Sequence, residues 1–355
     1  MNKKIFKFLF LLYMKYFAIV FFSLNVLYMS VDAIFRSSLP TFINLKILFL
    51  FYSFMESVGN TIAIVILSAF ILTMRRMIQS NELVALLSFG YHKRTMVQVF
   101  CASACLIAFC VIAINTTNLA YATDRKNVLV KQNRMYQDRE NVFLKHNNTY
   151  VYFKKLIPSN GLALDVKIFE FDEDLRLNKV YYAEEALYKE NFWILEKAEV
   201  IYYPKENNFE TSKLVYANEV NVRTLEKFRP NIISTMYEKS IRFSIPDALT
   251  LLGIFDKQNI NTNKARSSLY QNLVLPFYPV LIIVLLFYYT PSTSRLANMS
   301  KYNFVTFLTA LIAFGMFQTL DYLSYHASGY NTEIFSLVPF ALLALLSGYK
   351  YWKLA

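Results

Sequence analysis

The sequence predicts a membrane α-helical bundle of six transmembrane helices with one inserted extracytoplasmic all-β domain, jelly-roll-like in type. Three observations carry this. Six apolar runs are each long enough to cross a bilayer, since about 20 residues span a ~30 Å hydrocarbon core. Positive charge gathers on one side of those runs. Between the third and fourth runs, residues 122–265 turn polar and alternate like strands. Hydrophobic residues make up 55% of the 355, and mean hydropathy is +0.31. That composition argues against a water-soluble domain of this length.

The apolar runs cover residues 13–28, 57–74, 97–119, 272–289, 304–323 and 334–351. The first is expected to begin earlier, from Phe6, with Lys7 and Lys15 either snorkelling or facing protein. Lys3, Lys4 and Lys7 precede the first run; Arg75, Arg76, Lys93 and Arg94 lie between the second and third. Arg295 and Lys301 lie between the fourth and fifth, and Lys350 and Lys353 end the chain. The positive-inside rule then places both termini in the cytoplasm and the insert outside. No small-residue cleavage site follows the first run, so it is expected to be a span and not a cleaved leader.

The net charge of +12 is not a nucleic-acid signature. Residues 122–265 hold 22 Lys and Arg against 20 Asp and Glu, so the excess flanks the spans, where it sets topology and meets anionic lipid. The three cysteines, Cys101, Cys105 and Cys110, all fall in the third run and read as small packing residues, not a disulfide framework.

Within the insert, residues 149–156, 163–171, 180–187, 192–203 and 214–222 are rich in Val, Ile, Tyr and Phe. Turn signals separate them, among them Pro158 to Gly161 and Glu190-Asn191. Strands without intervening helices suggest an antiparallel sandwich or jelly roll. A short helix follows, with Ser244 or Ile245 near its cap and Pro246 in its first turn. Pro276 and Pro279 predict a kink in the fourth span. The chain therefore divides into 1–121 (three spans), 122–265 (β domain with a linker helix) and 266–355 (three spans).

Catalytic chemistry is absent from the pattern. There is no GxxxxGK[ST], HExxH or GxSxG, and the only histidines are His92, His146 and His326, far apart in sequence. An enzyme reading is therefore weak, and no cofactor is expected. Asp321 with His326 is the one nearby acid–base pair for a lipid-transferase reading.

Candidate functional residues therefore come from topology. Arg75 to Arg94 is the largest cytoplasmic segment and carries a single acid, Glu82, at the start of a short helical pattern. Glu82 has two readings. It either meets the helix N-terminal dipole, with Ser80 or Asn81 as cap, or pairs with a basic residue of a cytoplasmic partner. Arg36 lies just past the outer end of span 1, and Arg125, Lys126, Lys131 and Arg134 lie past that of span 3. They form either a solvated, headgroup-facing collar or a ring for phosphate or carboxylate groups of a lipid-like substrate. Glu56 and Asp321, within or at the outer edges of spans 2 and 5, call for a functional or bundle-interior role, or are merely interfacial if the spans start later.

The layout resembles the lipopolysaccharide export permeases of the LptF/LptG (YjgP/YjgQ) family, over nearly the whole chain. SNELVALLSFGYHKRTM at 80–96 is similar to the family's cytoplasmic coupling helix, an acid followed by apolar residues, a glycine and a basic residue. VFLKHNNTYVYFKKL at 142–156 and IFEFDEDLRLNKVYYAEEALYKENFWIL at 168–195 are similar to the opening strands of its periplasmic domain. FSIPDALTLLGIFDKQNINTNKARSSLYQNLVLPFYPVLII at 243–283 and GMFQTLDYL at 315–323 are similar to the fourth and fifth span regions. Val31-Asp32 and the β-domain sequence lean toward the G-type subunit.

The resemblance implies a second LptF/LptG-like permease subunit and a cytoplasmic LptB-like ATPase dimer. It also implies a single-span LptC-like protein, an LptA-like periplasmic bridge, and lipopolysaccharide drawn from the inner membrane. It implies that Glu82, Leu83, Gly90 and Arg94 couple to the ATPase and that Arg36 meets lipid A phosphates. Arg125, Lys126 and Lys131 join the substrate site by position, although they depart from the family's pattern. The alternative is a permease for lipoprotein release or macrolide export, but those have four spans and this chain has six.

Overall fold

The computed structural model describes residues 3–35, 42–132, 139–146, 148–157, 160–172, 174, 176–204, 214–226, 230, 243–256, 262–293, 298–326 and 331–354. Six helical segments are long and apolar enough to cross a membrane. Spans 1, 2 and 3 are α1 (Lys3–Phe35), α2 (Ile43–Gln79) and α4 (Lys93–Asn115), with the short α3 (Glu82–Ser88) between the last two. Span 4 is α7 (Asn263–Leu273) continued by α8 (Tyr278–Tyr288); spans 5 and 6 are α9 (Met299–His326) and α10 (Asn331–Trp352). The expected proline break is present. A 3-10 turn, Leu275–Phe277, separates α7 from α8, because Pro276 and Pro279 cannot donate the bonds a continuous helix needs.

Spans 2, 3 and 4 make the buried centre, while spans 1, 5 and 6 keep most of their apolar surface outward. At mid-bundle the rings of Phe70, Phe100 and Phe287 meet at 5.5–6.4 Å, one from each central span. Tyr13 of span 1 sets its ring edge-on to Phe100 and donates its phenol hydrogen to the Ile66 carbonyl at 3.2 Å. Without water at that depth, a buried phenol needs such an acceptor.

After α4 the chain turns through a 3-10 segment, Asn118–Tyr121, into the amphipathic α5 (Ala122–Gln132), and then enters the β domain. Its described strands are β1 (Arg139–His146), β2 (Thr149–Ile157), β3 (Leu162–Phe171), β4 (Leu177–Lys189), β5 (Phe192–Tyr202) and β6 (Val215–Thr224). They form one antiparallel sheet in chain order. The expected inserted antiparallel domain is therefore present, with an up-and-down order among its described strands. Glu190 and Asn191, both at positive φ, form the two-residue turn between β4 and β5, whose backbone twist matches that of the flanking strands. One strand lies outside the alternating runs, although the resemblance covers it from Val142. RENVFLKH at β1 alternates only weakly, yet it pairs along β2 from Arg139↔Leu156 to His146↔Thr149. One face carries a separate core centred on Trp193, fully buried and packed 5.2 Å from the Phe153 ring and 5.6 Å from that of Tyr188.

The chain returns through α6 (Ile245–Asp256). The expected cap is Ser244, which accepts from the Asp247 amide at 3.3 Å and donates to the Asp247 carboxylate at 2.8 Å.

Candidate functional site: the short helix between spans 2 and 3 and the root of the β domain

The segment between spans 2 and 3 is shaped by two residues in left-handed backbone conformation. Asn81 (φ 58°) ends α2 and begins α3 in one step. Asparagine tolerates that conformation better than most side chains. The expected side-chain cap is not made: Asn81 forms no capping bond, and Ser80 Oγ donates backward to the Arg76 carbonyl at 2.9 Å. At the other end Gly90 (φ 84°) closes α3. Its amide donates to the Leu87 carbonyl and that of Tyr91 to Leu86, the paired bonds of a Schellman motif. Gly90 is thus required by the backbone, since a Cβ there is strained even though no neighbour would meet it.

Leu83 and Leu86 point into the bundle and fix α3 against it. Leu83, fully buried, is therefore an anchor and not a contact surface. The opposite side presents Ala85, Ser88 and Phe89, and Phe89 is 78% exposed. Sequence reasoning passed over Phe89. The signal was available: Leu83, Leu86 and Leu87 mark the inner face, and Phe89 falls off it. Glu82 opens the helix, and its Oε2 is buried without a hydrogen-bond partner among the described residues. A carboxylate oxygen out of water and without a donor is uncommon and calls for an explanation. Arg94 begins span 3 with its guanidinium 4.6 Å over the Tyr351 ring. Gln98, one turn on, donates to the Tyr351 hydroxyl at 2.7 Å. The end of span 6 is thereby held beside the start of span 3.

The outer basic group divides. Arg36 lies outside the described residues, as does Arg134. Lys131 lies in α5, but its side chain is outside what the structure describes. Arg125 donates to the Tyr52 hydroxyl at 3.3 Å, its guanidinium 5.8 Å over that ring. Lys126 is neither solvated nor headgroup-facing. It is fully buried, with Nζ 2.9 Å from Asp32 of span 1 and in an ion pair with Glu56 of span 2. Ser53 Oγ donates to the same Asp32 oxygen at 2.8 Å. The expected collar fails at this residue because α5 turns the lysine inward, where two carboxylates compensate the ammonium.

Glu56 and Asp321 take the bundle-interior reading. Glu56 lies about 28 Å along the helix from Arg75, toward the other end of span 2. Asp321 is buried and accepts from Gln271 Nε2 at 2.7 Å. The His326 ring lies 4.2 Å from that of Tyr322, tilted by 37°, and its Nδ1 hydrogen-bonds the Tyr322 carbonyl at 2.9 Å. A cavity of about 120 Å³ opens between spans 2, 3, 4 and 5, lined by Glu56, Asn60 and Gln318 toward the outer side and by Ile62, Ile66 and Ala108 further in.

Six spans, an inserted antiparallel β domain and a short helix between spans 2 and 3 opened by an acid leave few architectures. A scan of protein-family profiles matches residues 4–353 to the lipopolysaccharide export system permease LptF/LptG. The chain belongs to this family. The match covers both subunit types under one description and does not separate them. No curated protein sequence matches the chain significantly. Family membership makes this permease a transport subunit of lipopolysaccharide export and not a catalyst. Its six spans also set it apart from the four-span alternative.

Proposed function

We propose that this permease subunit draws lipopolysaccharide from the inner membrane and passes it through the β domain to a periplasmic bridge. Force enters at α3 from an LptB-like ATPase dimer. The subunit works beside a second LptF/LptG-like chain and an LptC-like protein, feeding an LptA-like bridge. Both termini face the cytoplasm in this reading, and the β domain faces the periplasm. The observation that carries it is Glu82. Its buried oxygen lacks a donor within the described chain, it opens a helix fixed to the bundle by Leu83 and Leu86, and the exposed Phe89 lies at the end of that helix. An incoming cationic or backbone donor would satisfy the oxygen while an apolar pocket covered Phe89.

The direct test is affinity purification of the chain from its native membranes, with bound proteins and lipids identified. An ATPase, a second permease and lipopolysaccharide are expected together. Recovery of lipopolysaccharide with no ATPase would sink the coupling assignment.

Arg36, Arg125 and Lys131 are assigned to the outer phosphate-facing side by position. Arg36→Glu is expected to lower photocrosslinking of lipid A to span 1 several-fold, since it replaces an attractive charge with a repulsive one. Unchanged crosslinking would remove Arg36 from the site. The G-type assignment is carried by Val31-Asp32 and the β-domain sequence; identification of the co-purifying permease tests it.

A further inference from the structure

Lys126 sits where an amphipathic helix ordinarily places an apolar residue. Ala122, Lys126 and Leu129 follow one another at helical spacing on one face of α5, and all three are buried. Ala122 and Leu129 pack on Phe49 and Tyr52 of span 2. Between them the lysine reaches two different helices, Asp32 of span 1 and Glu56 of span 2. One ammonium therefore joins three elements at the point where the chain leaves the bundle for the β domain. The return crossing is stitched as well. The Tyr121 hydroxyl donates to Asp247 at 2.6 Å and accepts from the Ser244 amide at 3.1 Å. The Phe243 amide donates to Ser268 Oγ at 3.2 Å, and Asn272 donates to the Phe243 carbonyl at 2.9 Å.

We infer that Lys126 is a positioning residue for cargo transfer. It fastens α5 to the outer ends of spans 1 and 2, so that movement of those ends carries the root of the β domain with it. Burial argues against a direct cargo contact: the side chain is 1% exposed, and a phosphate would have to displace both carboxylates. An apolar residue at this position would pack α5 on span 2, but it would not tie span 1 to the same point. The ion cluster adds that second attachment. Buried ionic groups of this kind often contribute more to geometry than to net stability.

The inference rests on the export reading, and the test separates the two. The assembled exporter is compared with one carrying Asp32→Asn, Glu56→Gln and Lys126→Met together, which leaves no orphaned charge. Photoreactive residues at Ile34 of span 1 and Tyr216 of β6 report cargo arrival at each place. The expected result is wild-type crosslinking at Ile34, retained ATP hydrolysis, and at least a tenfold slower appearance of cargo at Tyr216. A short thiol cross-linker between Asp32→Cys of span 1 and Lys126→Cys of α5, in place of the Asn and Met and beside Glu56→Gln, with Cys101, Cys105 and Cys110 replaced by alanine, is expected to restore transfer. Restoration is the readout that a cargo contact would not give. Transfer at the wild-type rate in the triple variant overturns the inference, as does a loss at Ile34 that the cross-linker leaves unrepaired. Should the triple variant not accumulate, Asp32→Glu decides, because it keeps every charge and lengthens one arm. Slowed transfer supports the positioning role, and wild-type transfer overturns it. Absence of lipopolysaccharide from Ile34 in the unaltered exporter would instead defeat the export reading.

Discussion

Glu82→Ala is expected to abolish export while leaving the permease folded. The two readings of this acid differ in magnitude, and that makes the result decisive. As a first-turn charge on a short helix, Glu82 contributes only about 0.3–1 kcal/mol. As one half of a desolvated charge pair with a partner, its truncation costs about 2–5 kcal/mol of binding, roughly 30-fold to several-thousand-fold in affinity. The burial of Oε2 sharpens the sign. An unsatisfied buried carboxylate oxygen costs the isolated chain about 1–3 kcal/mol. Its removal should therefore leave thermal unfolding of the free permease unchanged or slightly raised, while recovery of the ATPase falls. Glu82→Arg should be more severe, because it places a cation where the proposed partner presents one. Co-purification of the ATPase and a thermal melt of the permease alone, on the same preparations, check both halves. Normal export by Glu82→Ala would reduce the acid to a helix starter.

Trp193→Ala should unfold the β domain and spare the bundle. Trp193 is fully buried at the centre of the sheet's own core. Truncating a large aromatic at such a site costs about 3–5 kcal/mol, a large part of a small domain's net stability. Among the described residues, none in that core comes from a span. The loss should appear as rapid amide exchange and proteolysis across β1 to β6, with the six helices still protected. ATPase recovery should persist and cargo transfer fail. Uniform loosening of bundle and sheet together would show that the two cores are not independent. Trp193→Phe keeps most of the packing and should lie between.

The spans, the inserted strands and the cap at Ser244 were legible because each depends on residues a few positions apart. Helical and strand periodicity, proline chemistry and turn propensity all act at that range. The same holds for α3, where an acid, spaced leucines and a glycine announce a short helix and its end. Local range also explains the misses. β1 carries a poor alternating pattern, and its strand state comes from pairing with β2. Asn81 was read as a side-chain cap, whereas it supplies a left-handed backbone step between two helices.

The sequence by itself determined how many membrane-spanning helices this chain carries, where the β domain is inserted and which acid opens the short helix between spans 2 and 3. Those properties follow from hydropathy, charge placement and local spacing. Only the tertiary structure decided what the charges near the outer face do. Lys126 and Asp32 are 94 positions apart in sequence and 2.9 Å apart in space. A lysine beside a span looks the same in sequence whether it meets lipid, cargo or carboxylate. Folding selects among these by what it places within reach of the ammonium, and here it places two acids from two spans.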